Sequence, residues 1–211
     1  MTTALLQTTY FGPIQWYQKL YRYDRCLIEQ YDSYQKQTYR NRCVIATANG
    51  IQALTVPVEN EKGEMKNEKC LLRDIRISDH NQWRRVHWNA LQSAYSESPF
   101  FDYYADDLHP FFEQKYDFLV DFNEAIRQKI CELIDIQPTV SYTTEYMSAI
   151  GHQPSAIVDY RDIIHAKHPQ PDASFEAKRY WQVFQHKHGF LPNLSILDLL
   201  FCMGPESVFY L

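Results

Sequence analysis

The first thirty residues carry the pattern that most constrains the fold. A short apolar run from Ala4 to Thr9 ends at the sequence Tyr10-Phe11-Gly12-Pro13. Proline is favoured in the first turn of a helix, so this order predicts a strand, a turn and a helix that continues to Tyr21. The run from Cys26 to Gln30 resembles a second strand. A strand followed by a helix at the start of the chain indicates the α/β class.

The next pattern predicts a β-hairpin. Residues Arg42 to Thr47 and Ile51 to Val58 are rich in β-forming side chains, and they flank Ala48-Asn49-Gly50. Asn-Gly between two such runs is the strongest short-range hairpin signal. We therefore expect an α/β fold, with α+β as the alternative, in which a mixed β-sheet with an N-terminal βα unit and a hairpin packs against several helices.

Later segments predict the remaining elements. Strands are expected at Leu71 to Ser78 and Thr139 to Thr143, and helices from Asp79 or Asn81 to Tyr95, from Asp107 to Lys115 and from Asp117 to Ile134. The alternating charges of Glu59 to Lys69 indicate a solvated loop. The stretch from Gly151 to Ser174 has little periodicity and predicts an irregular excursion that could cover a site.

The C-terminal region predicts a short buried helix. Ser195 and Asp198 have the spacing of a capping box, and Gly204-Pro205 supplies a stop, so the helix should run from Ile196 to Met203.

Composition limits the class of protein. The chain has 211 residues, 45% of them apolar, with 16 Tyr and 12 Phe against 6 Gly, which favours one ordered domain over residues 1–211. The net charge of -5 favours neither nucleic acid nor an anionic membrane as a partner. The start lacks a basic segment, and no apolar run reaches the roughly 20 residues of a membrane span, so we expect a cytoplasmic protein.

Cysteine and histidine spacing gives no metal site. The five cysteines are scattered without a CxxC pair, and Cys26, Cys43 and Cys202 lie in apolar runs that indicate burial. The pairs His165/His168 and His186/His188 lack accompanying carboxylates. GxGxxG, P-loop, GxSxG and HExxH motifs are absent from the sequence. We therefore expect neither a metal nor a cofactor.

One polar segment is the best candidate for binding a ligand. Between a predicted strand and the hairpin lie Gln35, Lys36, Arg40, Asn41 and Arg42. Guanidinium groups hold carboxylate or phosphate, and carboxamides bind polar edges, so the segment suits a small anionic molecule such as a nucleotide sugar. The alternative is a solvated edge whose cations pair with Glu29, Asp32 or Asp74.

Two further sets of residues leave alternatives open. His87 lies on the apolar face of its predicted helix, where a histidine is either a buried hydrogen-bonded residue or a catalytic acid or base. Asp159, Arg161 and Asp162 could close over a ligand or could satisfy one another.

Several segments together resemble the WbqC-like protein family. They are Tyr10-Phe11-Gly12-Pro13-Ile14, Tyr39-Arg40-Asn41-Arg42 with Leu54-Thr55-Val56-Pro57-Val58, Trp83 with His87-Trp88, Ser98-Pro99-Phe100, and the run from Leu191 to Phe201. The resemblance spans essentially the whole chain. At Glu29-Gln30-Tyr31-Asp32 the chain departs from the family pattern, which places an acidic residue beside an aromatic one.

The resemblance implies a function linked to surface polysaccharide, because family members are associated with such gene clusters. Some of these clusters make amino sugars that carry glycyl or other acyl groups. We therefore expect an acyl or aminoacyl transferase acting on an amino sugar or similar amine. The resemblance assigns no catalytic base, but a histidine of near-neutral pKa can deprotonate an amine, so His87 is the expected proton carrier. The alternative is a noncatalytic ligand-binding or scaffold protein of the same pathway.

Overall fold

The N-terminal residues form the predicted strand–helix–strand unit. The structure is a computed structural model that describes residues 2–59, 70–148 and 157–211. Strand β1 spans Thr3–Gln7, helix α1 spans Ile14–Arg22 and strand β2 spans Arg25–Glu29. The two strands pair in parallel, from Thr3 with Arg25 to Gln7 with Glu29.

The remaining strands and α-helices follow in chain order. They are β3 (Arg42–Thr47), β4 (Gly50–Thr55), α2 (Trp83–Tyr95), α3 (Phe101–Leu108), α4 (Leu119–Leu133), β5 (Val140–Tyr142), β6 (Ile157–Asp159), α5 (Gln185–His188) and α6 (Ile196–Met203). Short 3-10 turns lie at Leu72–Asp74, His80–Gln82, His109–Phe112 and Gly204–Tyr210. No helix in the described ranges is long and apolar enough to cross a membrane.

Four strands form a parallel sheet in the order β5-β2-β1-β6. All four carboxyl ends therefore lie at one edge of the sheet. The chain leaves β1 toward β2 on one side, while β6 pairs with β1 on the other side. Strand β6 lies within the stretch that was predicted to be irregular. The sequence did not predict it because three residues are too few to show a periodic pattern.

The predicted hairpin forms a separate two-stranded antiparallel sheet. Strands β3 and β4 pair from Arg42 with Thr55 to Thr47 with Gly50. Gly50 has a φ of 106°, which residues other than glycine rarely adopt. The hairpin turn therefore requires a glycine at this position. The α/β class is confirmed, with a parallel sheet, a hairpin and helices packed around them.

The prediction of a strand from Leu71 to Ser78 was wrong. Leu72–Asp74 forms a 3-10 turn, and the main-chain N–H of Leu72 donates to the Asp32 carbonyl at 2.8 Å. Farther on, Arg76 and Ile77 form only isolated bridges. The main-chain N–H groups of this segment thus donate to loop residues rather than to a neighbouring strand. The predicted loop lies largely outside the described residues, as do positions 151–156 of the irregular stretch.

Helices α2 and α4 each bury one face whose residues recur at helical spacing. On α2 the buried face includes Trp83, His87, Leu91 and Ala94, while Ala90 is partly exposed. On α4 it includes Leu119, Phe122, Ile126 and Ile130. Cys26, Cys43 and Cys202 are buried, as predicted. The predicted 107–115 helix is instead the end of α3 followed by a 3-10 turn that contains Pro110.

Helix α6 begins as predicted, but Asp198 has a different role. The Ser195 hydroxyl accepts the Leu197 N–H at 3.3 Å and caps the helix. The Asp198 carboxylate is fully buried and accepts the hydroxyls of Tyr95 at 2.8 Å and Tyr180 at 2.6 Å. Burial raises the pKa of Asp198, and these hydrogen bonds oppose that shift.

Candidate functional site

Buried polar side chains collect where the parallel strands end. They include Gln7, Thr8, Thr9, Glu29, Thr143 and Arg161, which lie at or just after the ends of β1, β2, β5 and β6. Open parallel sheets bind ligands in the crevice outside the carboxyl ends of their strands. This edge is therefore the candidate functional site.

Glu29 is fully buried at the end of β2 and accepts four hydrogen bonds. Its Oε1 accepts the Tyr31 N–H at 2.8 Å and the Thr143 hydroxyl at 2.9 Å. Its Oε2 accepts the Met147 N–H at 2.9 Å and Arg161 Nη1 at 3.3 Å. One carboxylate thus joins the segments that follow β2, β5 and β6.

Arg161 forms its main ion pair with Asp159. The guanidinium donates to Asp159 through Nε at 3.0 Å and through Nη2 at 2.6 Å. Burial disfavours the charge of Arg161, but Asp159 and Glu29 together raise its pKa. Asp159 and Arg161 therefore satisfy one another, whereas Asp162 is exposed.

Arg40 is the buried cation of the predicted binding segment. Its side chain is 2% exposed, and its Nη2 donates to Asp32 Oδ2 at 2.6 Å. Burial lowers the pKa of Arg40, while Asp32 and Asp162 oppose that shift. The Arg40 carbonyl accepts Asn123 Nδ2 at 2.8 Å, so α4 supports this segment from inside.

The other predicted binding residues take three different positions. Asn41 is buried, and its Nδ2 donates to the Val56 carbonyl at 2.8 Å. Arg42 is the first residue of β3, and its Nε donates to the Thr55 hydroxyl at 3.2 Å. Gln35 and Lys36 are exposed. Of the five predicted binding residues, only Arg40 and Asn41 are thus buried.

His87 lies in the aromatic core rather than on a surface. Its side chain is 4% exposed, and its Nδ1 lies 2.9 Å from the Tyr10 hydroxyl. Burial lowers the pKa of His87 to about 4, although a hydrogen bond with the Thr55 main chain acts to raise it. The imidazole is therefore neutral at neutral pH, and its role as a proton carrier stays a prediction.

Several buried polar atoms at this edge lack a hydrogen-bond partner among the described residues. They are Gln7 Oε1, Thr9 Oγ1, Arg40 Nε, Asn41 Oδ1 and Asn123 Oδ1. The segments that carry them contact each other, because the Tyr10 N–H donates to the Tyr39 carbonyl at 2.9 Å and Asn123 donates to Arg40. Most buried polar groups in proteins are paired, so this concentration indicates a place where a polar ligand or water binds.

The orientation of the three unpartnered amides is fixed. Gln7 Nε2 donates to the Ile164 carbonyl at 2.7 Å, and the amide nitrogens of Asn41 and Asn123 also donate to main-chain carbonyls. A carbonyl cannot donate, so the amide oxygens are the free atoms. The unpartnered atoms are therefore three amide oxygens that can accept a hydrogen bond, one hydroxyl group and one N–H of a guanidinium.

Sequence reasoning missed Gln7, Thr9, Glu29 and Asn123 as candidate site residues. The polar ending of the first apolar run was a usable signal, because it puts Gln7 and Thr9 at a strand end. Asn123 lies within an amphipathic helix and carries no local signal. In the described part of the chain, no group of three His, Cys, Asp or Glu side chains is arranged to hold a metal ion.

The fold and the site define an α/β protein with buried polar groups at the carboxyl edge of a parallel sheet. Residues 7–170 match the family model of the WbqC-like protein family, so the chain belongs to this family. It is 29% identical to the uncharacterized protein Rv1507c of Mycobacterium tuberculosis over 227 aligned positions, which cover 99% of this chain and 96% of that relative. No solved structure matches the chain significantly.

Proposed function

We propose that this chain is a small cytoplasmic transferase that moves an acyl or aminoacyl group onto an amino sugar or similar amine in surface polysaccharide biosynthesis. The observation that carries the proposal is the group of unpartnered buried polar atoms around Arg40. A substrate with hydroxyl or amino donors and an anionic group, such as a nucleotide sugar, would complement them. The pathway itself follows from the resemblance to family members.

The residues would divide the work between binding and orientation. The Nε–H of Arg40 would donate to an anionic or carbonyl oxygen, and Asn41 would accept from a hydroxyl or amino group. Lys36, Arg42 and Gln35 lie on the exposed side and would contact only the outer part of a substrate. Glu29 would hold the surrounding loops in place, because its oxygens are already occupied.

In the transfer step, the lone pair of the amine nitrogen forms the new bond to the acyl carbon. The leaving group departs with the electrons of its bond, and the nitrogen loses a proton. His87 would accept that proton, directly or through the Tyr10 hydroxyl that contacts it. With a pKa of about 4 the imidazole is neutral and too weak a base to deprotonate an ammonium group, so an amine bound as ammonium would first lose one proton to solvent, and His87 would accept the second proton as the new bond forms.

A noncatalytic binding protein is the second candidate. The saturated carboxylates favour it, since Glu29 accepts four hydrogen bonds and Asp159 pairs with Arg161. Such carboxylates make a rigid frame for a ligand but supply no free base. Ligand binding without any chemical change would fit this candidate.

The test combines a product assay with a matched pair of variants. Purified protein is incubated with an amino-sugar nucleotide and an activated glycine or acyl donor, and mass spectrometry follows the new amide. Thr9→Val removes a buried hydroxyl that lacks a partner, and Thr47→Val removes one that donates to the Gly50 carbonyl in the hairpin turn. We expect product from the wild type and from Thr47→Val, and a marked loss with Thr9→Val. No product from a broad donor panel would overturn the transferase proposal.

A further inference from the structure

A groove runs from the end of β2 along α4 as far as Gln128. One part has a volume of about 330 Å³ and is lined by Gln30, Arg73, Asp74, Phe118, Val120 and Asp121. The adjoining part has a volume of about 500 Å³ and shares Gln30, Val120 and Asp121 with the first. Gln30 directly follows Glu29, so the groove opens beside the candidate site. Its size is in the range of small-molecule sites.

The free polar atoms of this groove accept hydrogen bonds. Gln30 Nε2 donates to the Thr143 carbonyl at 2.8 Å, which leaves Gln30 Oε1 as the free end of the amide. The Asp121 carboxylate is exposed and has no ion pair or hydrogen bond within the described residues. The groove therefore favours a ligand that donates hydrogen bonds.

The charge of the groove is also negative. Its lining contains three carboxylates; Asp74 is paired with Arg73 and Glu124 with Arg127, so among the described residues the unpaired negative charge is that of Asp121. Arg73 is already engaged with the Tyr31 hydroxyl at 2.8 Å and with Asp74 at 3.5 Å. An anionic group would be repelled here, whereas a cation would be attracted.

The inner end of the groove borders a second set of acceptors. Glu124 and Tyr142 line both the groove and a small buried cavity of about 10 Å³ behind it. Thr9 and Asn123 line that cavity, are each at least 97% buried, and carry unpartnered oxygens. The cavity is the size of one water molecule or one amino group. Arg127 also lines the cavity but is paired with Glu124, so the unpartnered oxygens of Thr9 and Asn123 are the atoms there that an amino or hydroxyl donor would satisfy.

We propose that the groove binds the amine-bearing acceptor substrate as its ammonium form, with Asp121 and Gln30 as the recognition residues and the Thr9–Asn123 cavity as the inner end. The inference rests on the proposed transfer to an amine and adds where that amine binds. The anionic part of the reactants would lie toward Arg40. Separate regions of one edge would thus select opposite charges.

Binding of simple amino sugars tests the groove without any reaction. D-glucosamine and N-acetyl-D-glucosamine are titrated by calorimetry just below neutral pH, where only the first carries an ammonium group. Asp121→Asn is compared with Asp102→Asn, because both residues are exposed in the first turn of a helix and only Asp121 lines the groove. We expect glucosamine to bind more tightly, and Asp121→Asn to weaken it by about fivefold to tenfold.

Added salt should weaken glucosamine binding to the wild type, since the attraction is between charges. Equal binding of the two sugars, or equal effects of the two substitutions, would overturn the inference.

The experiments distinguish a failure of the groove proposal from a failure of the transferase proposal. Ammonium-selective binding that depends on Asp121 without any product would remove the transferase proposal and keep the groove. Product formation with an unchanged KM for the amine in Asp121→Asn would do the reverse.

Discussion

The Nη2 atom of Arg40 lies 2.6 Å from Oδ2 of Asp32, and the two residues are only eight positions apart in the chain. This ion pair closes the loop between β2 and β3 and turns a guanidinium inward. The pKa of Arg40 is lowered by burial, so the carboxylate is what keeps the charge tolerable at this position.

Removing the carboxylate of this pair should destabilise the fold. Asp32→Ala leaves the Arg40 guanidinium buried without its counterion, and we expect the free energy of unfolding to fall by about 3 kcal/mol. Urea denaturation measures this. Asp74→Ala is the control, because Asp74 pairs with Arg73 at the surface and should cost less than about 1 kcal/mol. Similar losses in the two variants would contradict the role given to Asp32.

Replacing Glu29 by glutamine should cost a comparable amount. One of the two oxygens that accept four hydrogen bonds becomes an NH₂ group that faces donors, and Arg161 loses part of its counter-charge. We expect a loss of about 3 kcal/mol in the free energy of unfolding.

Glu132→Gln is the matched control for this substitution. Glu132 pairs with Lys129 at the surface, so its replacement should cost less than about 0.5 kcal/mol. If the buried and the exposed substitution had equal effects, Glu29 would not join the segments after β2, β5 and β6.

Local sequence patterns predicted those parts of the fold that depend on near neighbours. The β1–α1–β2 unit, the hairpin and α4 were predicted from an apolar run followed by a proline, from an Asn-Gly turn and from a helical repeat, and each element is five to fifteen residues long. Strand β6 has only three residues and exists because β1 offers it a partner. Residues 71–78 have β-forming side chains but form only isolated bridges within the described part of the chain. Their structure was therefore decided by tertiary contacts.

The same distinction applies to the site. Arg40 and Asn41 were proposed as binding residues from the polar composition of one segment, and that role stays a prediction. Asn123 is 83 positions away from Arg40, and only the folded chain brings its amide to the Arg40 carbonyl. Arg161 reaches Glu29 across 132 positions in the same way. No short-range pattern encodes such pairs.

The buried imidazole of His87 should make stability fall at acid pH. Its pKa is about 4 in the folded chain and 6.5 in the unfolded chain, so the unfolded state binds the proton first. The contribution is fully present above the unfolded value and is lost as the pH falls toward the folded value. Between about pH 7.5 and pH 4.5 we expect a loss of about 2–3 kcal/mol from this group.

His87→Gln should remove this part of the pH dependence. Denaturation curves of the wild type and the variant are compared at both pH values, so that any constant cost of the substitution cancels. An exposed histidine gives the control, and His186→Gln should leave the pH dependence unchanged. A wild type and a His87→Gln variant with parallel pH profiles would show that His87 is not buried in its neutral form.

Asp198 should give the opposite pH dependence, because burial raises its pKa in the folded chain. Its contribution to stability is present below the pKa of the unfolded state and is lost as the pH rises through the pKa of the folded state.

Tyr180→Phe removes the hydroxyl that donates to Asp198 Oδ2 at 2.6 Å, so the ionised carboxylate becomes less stable. We expect a loss of about 2 kcal/mol at neutral pH, shrinking as the pH is lowered and Asp198 becomes protonated. Tyr103→Phe, at an exposed site, should have little effect at any pH. A Tyr180→Phe cost that stayed constant with pH would mean that Asp198 is not ionised in the folded protein.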